Sequence, residues 1–350
     1  MKRPQHGGNL VWAAALAKCS PDRILDFSAS INPLGPPDSA KAALNAGIEA
    51  LTSYPDPNYT HLRSRLAQAH QIEPEWILPG NGAAELLTWI GRDLAQSAAT
   101  YLCVPAFKDY TRALNTFNAT IIPQPLAPPR WELPSFTDIP AASSLLLNNP
   151  HNPTGKIWTK AELTPLLDKF DLVVIDEAFM DFLGDDEAES LEGMVSEREN
   201  LVILRSLTKF YSLPGLRLGY AIAHPSRLQR WQQWRDPWSV NTLADLAAQA
   251  VLDDFEFQQR TRQWLTTARS QLFNALTQIP GLSPFRGAAN FLLVETQTSS
   301  VELQRQLLER DRILIRDCLS FPELRDRYFR VAVRTEAENE RLITALAAIL

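Results

Sequence analysis

The sequence predicts an α/β protein: a large, mostly parallel sheet covered by helices, joined to a smaller α+β portion. Three observations lead there. From residue 76 to about residue 222, short β-rich runs alternate with helical patterns, the signature of βαβ units with both sheet faces covered. After Pro237-Trp238-Ser239-Val240 the pattern changes to a long helical stretch and then a mixed tail. With 350 residues, the chain is also long enough for about two domains.

The β-rich runs are Ala99–Val104, Ala119–Pro123, Ser143–Leu147, Leu172–Ile175, Leu201–Leu204 and Leu218–Ala223. Helices are expected between them near Ala83–Leu94, Phe107–Asn115, Lys160–Lys169 and Ala188–Glu199. The stretch Asn241–Ile279 carries charges on one side of an Ala/Leu-rich stripe and reads as helix. The tail reads as strand (Asn290–Glu295), helix (Ser300–Glu309), strand (Arg312–Ile315), strand (Tyr328–Val333) and helix (Thr335–Leu350). The expected division is an N-terminal arm with part of the small domain (1–42), a large domain (43–239) and a small C-terminal domain (240–350). No repeat or low-complexity linker interrupts it.

Composition narrows the function. Hydrophobic residues at 45% and charged residues at 21% suit a folded chain and exclude a disordered one. Net charge is 34 − 40 = −6, which argues against a nucleic-acid surface. Cys19, Cys103 and Cys318 are odd in number and widely spaced, as in reduced cytosolic proteins. No run approaches 18 apolar residues, so no membrane span is expected. Gln5-His6-Gly7-Gly8-Asn9 separates the basic Lys2-Arg3 from the apolar Leu10–Ala17, which spoils a signal peptide. A cytoplasmic enzyme is expected.

Several motifs fail on inspection. Gly80-Asn81-Gly82-Ala83-Ala84-Glu85 ends in Glu where a dinucleotide fingerprint needs Gly or Ala. Gly155-Lys156 lacks the upstream glycine of a P-loop, and Ser206-Leu207-Thr208-Lys209 lacks the partner motifs of a penicillin-binding enzyme. The five histidines have no metal-ligand spacing, so no metal is expected.

Four segments make chemical sense together. Asn148-Asn149-Pro150-His151-Asn152-Pro153-Thr154-Gly155 ends an apolar strand at the carboxyl edge of the sheet, where α/β proteins bind ligands. Asp176 ends the next apolar strand, Lys209 follows a third, and Arg217 lies just beyond. A lysine in an apolar neighbourhood has a lowered pKa and can form a Schiff base. An acid at a neighbouring strand end can keep a pyridine nitrogen protonated and make that ring an electron sink. Ser206, Arg217 and the N–H groups at the Gly82–Ala84 helix start would form a phosphate cup.

This constellation resembles fold type I pyridoxal 5′-phosphate enzymes, the aspartate aminotransferase superfamily, along nearly the whole chain. The resemblance implies a large domain with a mostly parallel seven-stranded sheet. It makes Lys209 the lysine that carries the cofactor and Asp176 the partner of its ring nitrogen. Asn152 would bind the ring 3-oxygen and Phe107 would lie on the ring face. Ser206, Arg217 and the Ala83-Ala84 backbone would hold the phosphate. Tyr54 in Tyr54-Pro55-Asp56-Pro57 looks like the tyrosine that reaches a neighbouring subunit's cofactor phosphate, which implies a homodimer.

Within the superfamily, His6-Gly7-Gly8-Asn9, the run Leu25–Gly35, Pro237–Asn241, Ile313–Cys318 and Tyr328–Arg334 look like the L-threonine-O-3-phosphate decarboxylase (CobD) family. So does Phe179, where aminotransferases usually carry tyrosine. That family implies decarboxylation of L-threonine O-3-phosphate to (R)-1-amino-2-propanol O-2-phosphate for cobalamin biosynthesis. The alternative is a histidinol-phosphate or related aminotransferase. His6, Gly7, Ser30, Asn152, Arg316 and Arg330 are the expected substrate contacts, with Arg330 on the α-carboxylate and Arg316 on the phosphate. Ser30 departs from the family's usual Asn; serine keeps an oxygen and loses reach.

Overall fold

The computed structural model describes residues 3–184 and 189–350. A short strand, β1 (Leu25–Asp26), precedes the main sheet. That sheet contains β2 (Ile77–Asn81), β3 (Ala99–Val104), β4 (Ile121–Pro125), β5 (Ser143–Asn148), β6 (Leu172–Asp176), β7 (Leu201–Ser206) and β8 (Leu218–Ala223). Their spatial order is β2-β8-β7-β6-β5-β3-β4. All pairings are parallel except the two made by β8. The seven-stranded, mostly parallel sheet is therefore present.

Strands β3, β5, β6, β7 and β8 are buried at every position, which explains their continuous apolar runs. The side chains alternate between two cores. Leu145, Leu147, Val173, Ile175 and Ile203 join one cluster, whereas Leu146, Val174, Val202 and Leu204 join the other. Strand β2 escaped the sequence reading because Pro79 and Gly80 interrupt it. It pairs only with β8, and an edge strand tolerates proline.

The helices Ala83–Leu94 and Lys108–Thr116 match expectation closely. Three expectations need correction. Lys160–Lys169 is α-helical only over Lys160–Leu163; Pro165 sits in the 3-10 turn Thr164–Asp168 that replaces the rest. In the expected helix Ala188–Glu199, Ala188 lies outside the described residues, and the remainder holds a 3-10 turn at Glu192–Met194. The long helix over Asn241–Ile279 is two helices, Thr242–Leu252 and Phe255–Thr277. Asp254 caps the second by accepting the Phe257 N–H at 3.0 Å, so the chain restarts there.

The C-terminal portion contains β9 (Leu282–Pro284), β10 (Phe291–Thr296), β11 (Ile313–Leu314) and β12 (Tyr328–Ala332). Strands β9, β10 and β12 form an antiparallel sheet in the order β12-β10-β9. Strand β11 pairs instead with β1, in parallel. The helix Leu10–Ala17 packs on the helix Ser300–Asp311 through a small apolar cluster that includes Trp12, Ala14, Leu308 and Leu314. These contacts bring the N-terminal segment to the end of β11, beside Arg316.

Candidate active site

The register of the parallel strands aligns the chemistry. Asn148 on β5 lies opposite Asp176 on β6, and Asp176 lies opposite Leu204 on β7. The Asn-Pro loop, the acid and the Ser206–Lys209 segment therefore leave the sheet along one edge.

Asp176 is buried and held at both oxygens. The Tyr110 hydroxyl donates to Oδ2 at 2.8 Å, and the Ala178 N–H donates to Oδ1 at 2.9 Å. Burial raises its pKa, while Lys209, Tyr110 and Ala178 pull it back toward the ionised form. Tyr110 was not anticipated. It lies on the helix Lys108–Thr116, three residues after Phe107, so both rings sit on adjacent turns and meet edge-on at 5.6 Å.

Lys209 occupies the single helical turn Leu207–Phe210 directly after β7. Its Nζ donates to Ser206 Oγ at 3.3 Å and stands 5.0 Å from the centroid of the Phe179 ring. Burial lowers its pKa; Asp176 opposes this, and Arg217 and Arg330 add to it. The amine is thus easier to deprotonate than a surface lysine, as a nucleophile requires.

An oxyanion cradle lies next to it. Gly82 has φ +73°, and a Cβ there would stand 2.5 Å from Arg217 Nη2. A Cβ on Gly219 would stand 2.6 Å from the Ala83 nitrogen. Only glycine leaves the start of the helix Ala83–Leu94 open at this point, and the first amides of a helix have no partners within it. Arg217 adopts φ 59° and donates to the Pro214 carbonyl at 3.0 Å. The Ser206 and Thr208 hydroxyls lie 2.8 Å apart and are buried. Thr208 was also missed, because a lone hydroxyl carries no sequence signal.

A cavity of about 260 Å³ opens at Lys209. Lys209, Asn152, Phe107 and Phe179 line it. So do His6, Gly7, Ser30, Arg316 and Arg330. Arg330 donates through Nη1 to Asn152 Oδ1 and through Nη2 to the Ser28 carbonyl at 3.3 Å. Arg316 donates to the Gln5 carbonyl and, at 2.5 Å, to Ser320 Oγ. Burial lowers the pKa of both guanidinium groups, and Arg316 lowers that of Arg330 further. Arg330 Nε and Ser30 Oγ are buried without a partner, so the pocket is polar and unsaturated.

One expected residue lies apart. Tyr54 is 80% exposed and stacks on Trp238 at 4.6 Å, outside the cavity of its own chain. His151, inside the Asn-Pro loop, is buried with Nδ1 2.8 Å from Thr154 Oγ1, and burial lowers its pKa to about 3. It is a neutral part of the loop.

The family model for aminotransferase class I and II matches residues 22–346. The chain belongs to this family. It is 39% identical to a threonine-phosphate decarboxylase of Salmonella typhimurium, covering 99% of this chain and 96% of the relative. The solved L-threonine-O-3-phosphate decarboxylase of Porphyromonas gingivalis superposes with a TM-score of 0.83 at 25% identity, covering 93% and 99% of the two chains. The histidinol-phosphate aminotransferase of Clostridium acetobutylicum superposes with a TM-score of 0.87 at 28% identity, with the same coverage. Fold type I is thereby established, and the backbone alone does not separate the two activities. Among the described residues, no helix is long and apolar enough to cross a membrane.

Proposed function

We propose that the protein is a pyridoxal 5′-phosphate-dependent decarboxylase that converts L-threonine O-3-phosphate to (R)-1-amino-2-propanol O-2-phosphate and CO2, in cobalamin biosynthesis. The residues present fit the cofactor. The cradle that a Cβ at Gly82 would fill, bordered by Ala83, Ala84, Ser206, Thr208 and Arg217, suits its phosphate. Asp176 would pair the ring nitrogen, Asn152 the 3-oxygen, and Phe107 would cover one face. When bound, the cofactor supplies an electron sink for the carbanion left at Cα.

The rest of the work falls to this chain's side chains. Lys209 would hold the cofactor through Nζ, whose burial favours the free amine that such attachment needs. Arg330 anchors the α-carboxylate, and Arg316, with His6 and the Gly7 backbone, anchors the phosphate ester. The bond to be broken must stand perpendicular to the ring, and the choice is made by where the other substituents are fixed. An aminotransferase turns Cα–H to that position, whereas a decarboxylase turns the carboxylate there, with the phosphate as a second handle. A proton must replace CO2 at Cα, and Lys209 Nζ, in its ammonium form, would be the donor.

The observation that carries this reading is the pair of buried arginines in one cavity. Threonine phosphate carries two anionic groups and histidinol phosphate one, although the aminotransferase also takes glutamate, which carries two carboxylates. Transamination of histidinol phosphate is the second reading, favoured by the backbone likeness to the Clostridium enzyme. Incubation with threonine phosphate, with and without 2-oxoglutarate, separates them: decarboxylation needs no keto acid.

The same reading makes the enzyme a cytoplasmic homodimer. Support for assembly comes from Tyr54 and Trp238, exposed together, and from Ile48 and Leu51, exposed a few residues before Tyr54 in the chain. Tyr54 would reach the cofactor phosphate of the partner subunit. Sedimentation at micromolar concentration should give a dimer, and Tyr54→Ala should weaken cofactor binding. A fully active monomer would refute it.

A further inference from the structure

We propose that Arg3 is a positioning residue for the substrate-phosphate site: by pairing with Asp317 it straps Gln5, His6 and Gly7 across the cavity. This deepens the decarboxylase reading and rests on it. The N-terminal arm is pinned at two points. At the first, Arg3 Nη1 contacts the Asp317 carboxylate and donates to Gln304 Oε1 at 2.8 Å, with its guanidinium 5.6 Å from the Trp12 ring centroid. At the second, the Gly8 N–H donates to Ser28 Oγ at 2.8 Å. A Cβ on Gly7 would collide with the Ser28 carbonyl, so the arm lies flat against that strand end.

Between the pins, the chain faces the cavity. The Gln5 carbonyl accepts from Arg316, and the His6 ring lies 5.6 Å from Phe107. Gln5, His6 and Gly7 all line the same space as Arg316 and Lys209. The first pin is set in rigid backbone. Asp317 directly follows Arg316, its side chain is 4% exposed, and Ser300 Oγ donates to its carbonyl at 2.9 Å. Gln304, the other partner of Arg3, donates to the Ile315 carbonyl at 2.7 Å. Arg3 thus ties the arm to the residues on either side of Arg316.

Removing Arg3 would leave the buried Asp317 carboxylate without its cation, a larger loss than breaking an exposed ion pair. Its physical effect is preorganisation. An untethered arm would have to lose backbone freedom each time substrate bound, and that ordering would be subtracted from affinity. With the arm already fixed, the contacts from His6 and Gly7 to the phosphate ester form without that cost. Asp317 uses its other oxygen to accept the Leu319 N–H at 3.2 Å, so the carboxylate that receives Arg3 is itself fixed to the loop that follows Arg316.

The test compares the holoenzyme with Arg3→Ala, Asp317→Asn and the double variant, by two readouts. The first is hydrogen exchange over residues 4–9 without substrate. The second is the KM and kcat for L-threonine O-3-phosphate and for L-threonine. Both single variants should speed exchange in the arm and raise KM for the phosphate ester by roughly tenfold. They should change kcat and the constants for threonine much less. The double variant should fall clearly short of the sum of the two single effects, because the two residues share one contact. Faster exchange with an unchanged KM for the ester overturns the proposal, as does an equal rise in KM for threonine, or full additivity. Failure of the functional reading looks different: the unaltered enzyme would release no CO2 from threonine phosphate.

Discussion

Arg316 and Arg330 face each other across an antiparallel bridge, the Arg316 N–H donating to the Arg330 carbonyl at 3.0 Å and the Arg330 N–H donating back at 2.8 Å. Residues opposed in this way project their side chains to one face, and like charges placed so are mutually destabilising. Both are buried. Two anionic substrate groups would relieve that repulsion.

Removing either arginine should therefore cost substrate recognition, by ~2–5 kcal/mol where the pair is desolvated. The two losses differ in kind. Arg316→Ala should chiefly abolish the preference for threonine phosphate over threonine. Arg330→Ala should also loosen the choice of bond and raise transamination side products. Steady-state kinetics on both substrates, with product analysis, checks this. An intact preference for the phosphate ester in Arg316→Ala would contradict the assignment.

At the cofactor end, borohydride should remove the near-visible absorbance of the holoenzyme and leave a pyridoxyl group on Lys209. Peptide mapping decides the point, and a label on any other lysine would sink it.

Tyr110→Phe should remove one of the two donors that hold the Asp176 carboxylate ionised. Losing a buried hydrogen bond to a charged group costs about 1.5–3 kcal/mol. Cofactor affinity should fall, and the pH at which the bound cofactor's absorbance changes should move, because Asp176 is then easier to protonate. Unchanged spectra across the pH range would show that Tyr110 merely packs.

The sheet also holds a buried charge cluster in which Arg205 meets Glu177 at 3.0 Å, Asp181 at 2.9 Å and Glu192. Burial pushes Glu192 up, but Arg205 and His70 outweigh it and bring the pKa from 4.5 to about 2. A depressed folded-state value means the contribution is full above pH 4.5 and is lost as pH falls toward 2. Glu177 behaves oppositely: burial and Glu192 raise it to about 7, so its ionisation erodes stability between pH 4.5 and 7. Urea unfolding at a series of pH values should show Glu192→Gln flattening the acid limb. A limb as steep as in the unaltered protein would contradict this.

Much of the sheet and site was legible because it is written in local signals. Continuous apolar runs mark strands buried on both faces. Asp176 ends one such run, Lys209 follows another and Arg217 directly precedes a third, and it is their joint spacing that pointed to one sheet edge. What was illegible depends on contacts distant in sequence. Strand β2 is held by β8 despite Pro79 and Gly80. Tyr110 looks like an ordinary helix residue until β6 brings Asp176 to it. Arg3 and Asp317 lie at opposite ends of the chain and meet only because the N-terminal helix docks on Ser300–Asp311. The break at Asp254 was readable in principle, since aspartate three residues before an apolar position is a cap signal.

The most direct measurement is the release of CO2 from carboxyl-labelled L-threonine O-3-phosphate by the purified holoenzyme in the absence of any keto acid. Stoichiometric labelled CO2 and (R)-1-amino-2-propanol O-2-phosphate are expected. No CO2, with amino-group transfer from histidinol phosphate to 2-oxoglutarate instead, would contradict the assignment.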